Sequence, residues 1–479
     1  MRLSSLTGDA AEIVSTLIER SGLGTPSLRL GVTGLSRAGK TVFISALVHT
    51  LLHGGRLPLF EPASSGRLAG ARLDPQPDDA VPRFDYERHI AALVDERVWP
   101  DSTRMVAELR ITLDYESATF LGRTLGRGRL HLDIVDYPGE WLLDLALLDK
   151  DYATWSTETV ARMRARPPLA ESQAFLAAIE ALAPEAVEDE AEARRLAGLF
   201  TAHLKARRAD PEALASDPPG RFLMPGDLEG SPALTFAPLV PTEGERGSLA
   251  AMMARRYEAY RNHVVRPFFR EHFARLDRQI VLVDALAALD HGAAATRELE
   301  RVLADVLAAF RPGRLSWLGG LVDRRIDRIL FAATKADHLN HRDHDRLEAI
   351  LSRLVAAAIE RAAFSGAAVD VLAIAAVRAT REATVRRGSE RLPAILGTPI
   401  AGETVGGETY DGATEIAFFP GDLPTDPAAV FGRREGDGAL RFLRFRPPQL
   451  ERSADGLRLV LPHIRLDRAL QFLIGDRLA

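Results

Sequence analysis

The chain has 479 residues, 46% of them apolar, which suffices for two or three domains with real cores. Its 61 basic and 66 acidic residues leave a net charge of -5, so the composition carries no global attraction for nucleic acid or anionic lipid. Cysteine is absent, which excludes disulfides, cysteine-ligated zinc, iron–sulfur clusters and a thiol nucleophile, and fits a reducing compartment.

Residues 1–27, opening MRLSSLTGDAAEIVSTLIERSGLG, are predicted to form an N-terminal helix; acids interrupt the apolar pattern, unlike a signal peptide. The most apolar runs, Ile280 to Leu289 and Val371 to Val377, fall short of the roughly 20 residues a bilayer requires, so a soluble cytoplasmic protein is expected. Leu30 and Val32 mark a short strand, and VFISALVHTLL beyond it has helical spacing. Between them Gly34, Gly39, Lys40 and Thr41 fit G-x-x-x-x-G-K-[ST]. In such a loop backbone N–H groups turn onto phosphate oxygens, the lysine meets the β and γ phosphates, and the threonine hydroxyl ligates Mg²⁺. Ser36, Arg37, Ala38 and Val42 are expected to face the nucleotide with them. A glycine-rich turn that merely contains Lys-Thr is the alternative, and the strand–loop–helix context argues against it.

Leu57 to Asp85 is rich in Pro, Gly and Asp and reads as surface loop. Within WPDSTRMVAELRITLDY, Thr103 is the candidate switch threonine for the Mg²⁺ shell, with Ser102 as rival. The strand RLHLDIVDYPGEW ends in Asp136-Tyr137-Pro138-Gly139, where the acid can reach Mg²⁺ and the Gly139 N–H can meet the γ-phosphate. Residues 145–275 hold helical stretches separated by a Pro/Gly-rich connector and are expected to form a helical insertion; the charge run EAVEDEAEARR reads as a solvated face.

RQIVLVDAL is a further buried strand. RPGRLSWLGGLVDRRIDR, with Trp317, Leu318 and Leu321, has the composition of a segment that could dip into a membrane surface or a partner groove, although packing against the body is preferred. The strand of RIDRILFAATKADHL ends in Thr334-Lys335-Ala336-Asp337. A carboxylate there can accept from N1 and N2 of guanine, a pair adenine does not offer, while the Lys335 stem covers the ring. An ordinary helix-capping turn is the alternative. His338, His341 and His344 follow at the start of a helix and are expected to be solvated rather than metal-bound. VDVLAIAAVRAT supplies the last core strand, whose end at Ala376 and Val377 can offer a backbone N–H to the guanine oxygen. Residues 383–447 read as a small β-rich subdomain and 448–479 as a C-terminal helix packing on the core. With a core at 28–144 and 276–382, the predicted fold is α/β, a GTPase-type P-loop NTPase with a doubly wound, mostly parallel sheet.

The chain resembles P-loop GTPases in general and the YcjX-like (DUF463) bacterial family in particular, through LRLGVTGLSRAGKTVF, IVDYPGEWL, RQIVLVDAL, RIDRILFAATKADHL and LPHIRLDRALQFLIGD. That resemblance covers essentially the whole chain and implies a stress-associated cytoplasmic GTP-binding protein using Mg²⁺ and GTP/GDP. Where many GTPases carry a water-orienting glutamine, this chain has Glu140. An ionised glutamate would repel the γ-phosphate, so Glu140 either points away toward a basic partner, the preferred reading, or works in its neutral form. Arg37 resembles the P-loop arginine of guanylate-binding and atlastin GTPases, an internal arginine finger often used when two nucleotide domains meet; a solvent-facing Arg37, or one paired with a carboxylate such as Glu140, is the alternative of equal weight. Arg37, Lys40, Gly139 and Glu140 form the expected catalytic set, with an unidentified protein as the expected partner, a homodimer as a further option and no nucleic acid. A GTP hydrolase and a GTP-loaded adaptor with negligible hydrolysis both remain open.

Overall fold

The computed structural model describes residues 25–101, 103, 105–118, 128–183, 186–210, 217–240, 242, 244–273, 275–308, 326–405, 407–432, 440–450 and 460–479. Most of the predicted N-terminal helix, Ser102, and the Trp317, Leu318 and Leu321 segment lie outside those residues.

Strand β1 (Ser27–Gly34) leads through the glycine loop into helix α1 (Lys40–His53). It is followed by β2 (Leu68–Asp74), β3 (Ala107–Tyr115) and β4 (Gly128–Asp136). A 3-10 turn at Gly139–Leu147 opens the insertion, built on α2 (Tyr152–Ala165), α3 (Ala170–Glu180), α4 (Glu190–Ala209) and α5 (Leu249–Tyr260). The chain returns through β5 (Arg278–Val283), α6 (Ala285–Asp290), α7 (Ala293–Ala308), β6 (Arg328–Ala333), α8 (His344–Leu354), α9 (Ala356–Phe364) and β7 (Ala368–Ala373). Then come β8 (Arg381–Arg387), β9 (Glu390–Gly397), β10 (Thr404–Val405), β11 (Glu408–Thr409), β12 (Ile416–Phe418) and finally α10 (Leu466–Ile474).

Seven strands form one sheet in the order β2-β3-β4-β1-β5-β6-β7. The pairs among β4, β1, β5, β6 and β7 are parallel, and β2–β3 and β3–β4 are antiparallel. Alternation along each strand divides its side chains between two cores, because successive residues of a strand face opposite sides. Ile280 and Leu282 face the side covered by α1 and α10, through Phe43, Leu47, Leu470 and Leu473. Val281 and Val283 face the side covered by α7 and α8, through Leu299, Leu303, Leu347 and Leu351. The insertion gathers a third core of its own, with Trp155 stacked on Tyr257 at 4.9 Å and Phe200, Phe222 and Phe236 around them.

Part of Leu57 to Asp85 is not loop: Leu68–Asp74 joins the sheet as its edge strand against β3. Gly70 and the half-exposed faces of an edge position break the apolar alternation that would have announced it. Residues after β7 form a three-stranded antiparallel sheet, β12-β9-β8, and a short β10–β11 hairpin. Among the described residues no helix is long and apolar enough to cross a membrane.

Candidate functional site

The carboxyl ends of β1, β4, β6 and β7 open onto one cleft of about 390 Å³, the position where ligands bind in open parallel sheets. Gly39 takes φ +88° immediately before α1, turning the loop so that the first N–H groups of the helix face the cleft. Lys40 is buried, and its Nζ donates to the carbonyls of Gly34 (2.9 Å) and Leu35 (3.2 Å). Burial lowers its pKa, against the pull of the Asp136 and Glu140 carboxylates.

Three oxygen-bearing side chains converge beside Lys40. Thr103 Oγ1 lies 3.3 Å from Thr41 Oγ1 and donates to Asp136 Oδ2. Asp136 is 1% exposed, and burial pushes its pKa up to about 6, opposed by Lys40 and by the Thr103 hydroxyl. Its other oxygen, Oδ1, is buried without a donor among the described residues. A buried, unsatisfied carboxylate oxygen next to two hydroxyls is a donor set that suits a hard dication such as Mg²⁺. Gly139 packs so closely on the loop that its Cα faces Ser36 N and Lys40 Nζ.

At the opposite end, Asp337 is 3% exposed. Ala379 N donates to its Oδ2 at 2.8 Å, and Thr380 Oγ1 donates to its main-chain carbonyl, so the carboxylate is fixed at the cleft wall. Lys335 adopts φ +61° and pairs its ammonium with Asp284, the N-cap of α6, leaving its stem along the cleft. Thr334 lies in the same wall, and the N–H groups of Ala376 and Val377 find no acceptor among the described residues. Ser36, Arg37, Gly39 and Val42 line the cleft, whereas Ala38 sits behind the loop in the core and lines a second, neighbouring cleft of about 470 Å³. Gly34 also lies behind the loop, packed against the Leu282 carbonyl of β5.

Arg37 is exposed at φ +66° on the rim shared by both clefts and has no ion-pair or hydrogen-bond partner among the described residues. Glu140 is 3% exposed and meets a basic partner, Arg208 on the last turn of α4, with Nη2 2.7 Å from Oε1. The three histidines are not uniformly solvated. His338 is buried edge-on to Phe445, His344 is buried with Nε2 2.9 Å from the Ala336 carbonyl, and exposed His341 pairs with Glu382. His338 and His344 lie inward because the turn after Asp337 is pinned by Thr380 and the β-rich subdomain folds over it.

Several cleft residues were not read from the sequence. Trp99 and Pro100 approach from the segment before β3, while Arg444 and Phe445 come from the C-terminal part, and Trp99 Nε1 donates to the Phe445 carbonyl at 2.6 Å. Arg208, which meets Glu140, is another residue not read from the sequence. Only the fold joins these positions, and a charged ARRA run gives no local signal of burial near a cleft.

The strand order, the loop between β1 and α1, and the motifs gathered at the strand ends define a P-loop NTPase fold of the GTPase type. The chain belongs to the YcjX-like family, DUF463, whose profile matches residues 28–478. It is similar to a protein of Escherichia coli (strain K12) named Ras-like GTPase YcjX, 38% identical over 466 residues, spanning 94% of this chain and 96% of that one. A Shewanella oneidensis protein of the same name is 35% identical over 477 residues, spanning 94% of each chain. The signal recognition particle receptor SRb-GTP/SRX complex from Chaetomium thermophilum aligns over 76% of this chain and 94% of that chain, at 15% identity and a TM-score of 0.25, too distant to carry any argument.

Proposed function

We propose that the protein binds GTP and hydrolyses it to GDP and phosphate, and passes the nucleotide state to its helical insertion. The observation that carries this reading is the single cleft with Lys40, Thr41, Thr103 and Asp136 at one end and Asp337 at the other. Phosphate binding falls to the N–H groups of the loop and to Lys40, base choice to Asp337 with Ala376 and Val377, and ring cover to the Lys335 stem. Thr41, Thr103 and Asp136 are the residues that would hold Mg²⁺, which when bound neutralises charge on the β and γ phosphates. Gly139 supplies a main-chain N–H next to Lys40, where it can report a γ-phosphate.

Coupling to the insertion is supported by contacts on the turn after Gly139. Asp144 accepts from Gly220 N at 2.6 Å and from Tyr260 Oη at 2.7 Å, and Trp141 Nε1 donates to the Met224 carbonyl at 3.0 Å. The Arg221 guanidinium stacks 3.2 Å from the centre of the Trp141 ring. A GTP-loaded adaptor with little turnover is the second reading, favoured by one observation: Glu140, standing where a water-orienting group is expected, is engaged by Arg208.

Affinities for GTP, GDP, ATP and XTP in the presence of Mg²⁺ test base choice. The parent is expected to prefer guanine nucleotides, and Asp337→Asn to lose several kcal/mol of GTP affinity while gaining relative preference for XTP. Unchanged GTP binding in that variant removes the guanine assignment.

A further inference from the structure

Glu140 lines the phosphate end of the cleft with Lys40 and Gly139, and the cation beside it comes from the insertion. Arg208 Nη2 stands 2.7 Å from Glu140 Oε1, and 34% of the arginine side chain remains exposed. The contact is one of charge more than of a directed hydrogen bond, since Oε1 receives no aligned donor among the described residues. The preceding arginine, Arg207, is buried and bonds Asp210 at 3.0 Å, which fixes the end of α4 without using Arg208. A guanidinium held by one carboxylate can exchange to a more highly charged oxyanion that offers it two acceptors.

We infer that Arg208, brought to the cleft by the helical insertion, neutralises the phosphoryl group being transferred, with Glu140 holding it until charge builds on that group in the transition state. This rests on the GTP-hydrolase reading above. In the step, the oxygen of water bonds to the γ-phosphorus, the bond from that phosphorus to the β–γ bridging oxygen breaks, and its electron pair leaves with GDP. A water proton ends on inorganic phosphate, and Arg208 stays protonated throughout, donating to the oxygens where charge accumulates. Arg37 is the competing cation. It sits exposed on the loop with no partner among the described residues, so the fold does not aim it, whereas Arg208 is aimed by a helix and by Glu140.

The full chain and its Arg208→Ala, Arg208→Gln and Arg37→Ala variants decide this in three measurements with Mg²⁺. These are affinity for GTP and GDP, single-turnover hydrolysis at saturating GTP, and binding of GDP with aluminium fluoride, which mimics the phosphoryl group in transfer. Both Arg208 variants are expected to keep nucleotide affinity within about threefold, to lose at least about 100-fold in rate, and to fail to form the fluoride complex. Arg37→Ala separates the two cations, and loss of the fluoride complex there with its retention in the Arg208 variants overturns the inference. Arg208 variants that hydrolyse at the parental rate overturn the inference, as do variants that lose GDP affinity in step with rate, which marks a structural role. A parent that binds GTP but forms no fluoride complex overturns it and leaves the nucleotide reading standing. A parent that binds no GTP removes both.

Discussion

A methyl group on Gly139 would lie 2.5 Å from Ser36 N, 2.7 Å from the Leu35 carbonyl carbon and 2.9 Å from Lys40 Nζ. Two of those atoms are main chain, so the phosphate loop itself must move to admit it. Gly139→Ala is therefore expected to abolish tight GTP binding at a stability cost of only about 1–3 kcal/mol, measured by nucleotide titration beside a urea melt. Near-parental GTP affinity would mean that the two loops are not held in register. At this scale the sequence was most informative where the chemistry is local. Gly39, Lys40 and Thr41 announce themselves because loop, helix start and hydroxyl are contiguous, and Asp337 because it sits in a Thr-Lys-Ala-Asp turn directly after a strand. Thr103 was harder, being one hydroxyl before a strand; its contacts to Thr41 and Asp136 single it out. Arg208 and Phe445 were not legible, since their place at the cleft depends on how distant segments pack.

Between elements, the clasp on the Gly139–Leu147 turn has a pH signature. Burial pushes the Asp144 carboxyl up to about 6, opposed by the Tyr260 hydroxyl and the Gly220 N–H. Its folded pKa thus exceeds the unfolded one, so the native state holds the extra proton between about pH 4 and 6. Asp144 contributes its full stability below that window and loses it as pH rises through 6. Asp144→Asn, which keeps an acceptor but never ionises, is expected to gain stability relative to the parent from pH 4 to pH 7, by up to about 3 kcal/mol. Denaturant melts at the two pH values measure it, and an equal difference at both would place the carboxylate in a solvated setting. The helices of the insertion were readable from their periodicity. Edge strand β2 was not, because half its side chains face solvent and a glycine interrupts the pattern.

Across the whole molecule, the C-terminal segment braces both ends of the sheet. Ala375 and Ile464 exchange main-chain hydrogen bonds, and α10 buries Leu470 against the same core as β1 and β5. Arg278 at the start of β5 is buried between Asp327 and Asp476. Leu470→Ala is expected to cost about 2–5 kcal/mol in a urea melt, with guanine-nucleotide affinity falling only where the melt has begun. A loss under about 1 kcal/mol would show that α10 is a loose cover.

The insertion leaves β4 at the cleft end of the sheet and re-enters β5 at the opposite end, on either side of β1. Its upper attachment is the Asp144 and Trp141 clasp; its lower one is Asp277, whose carboxylate accepts from Arg29 N at 2.8 Å and whose N–H donates to the Arg29 carbonyl at 3.0 Å. A third support lies on α7, where Arg166 pairs with Glu298 and Lys150 with Asp305. Under the proposed coupling, a small displacement at the upper support would have to be taken up as a turn about the other two, so the ion pairs on α7 would set how much of a disturbance at Gly139 the insertion receives.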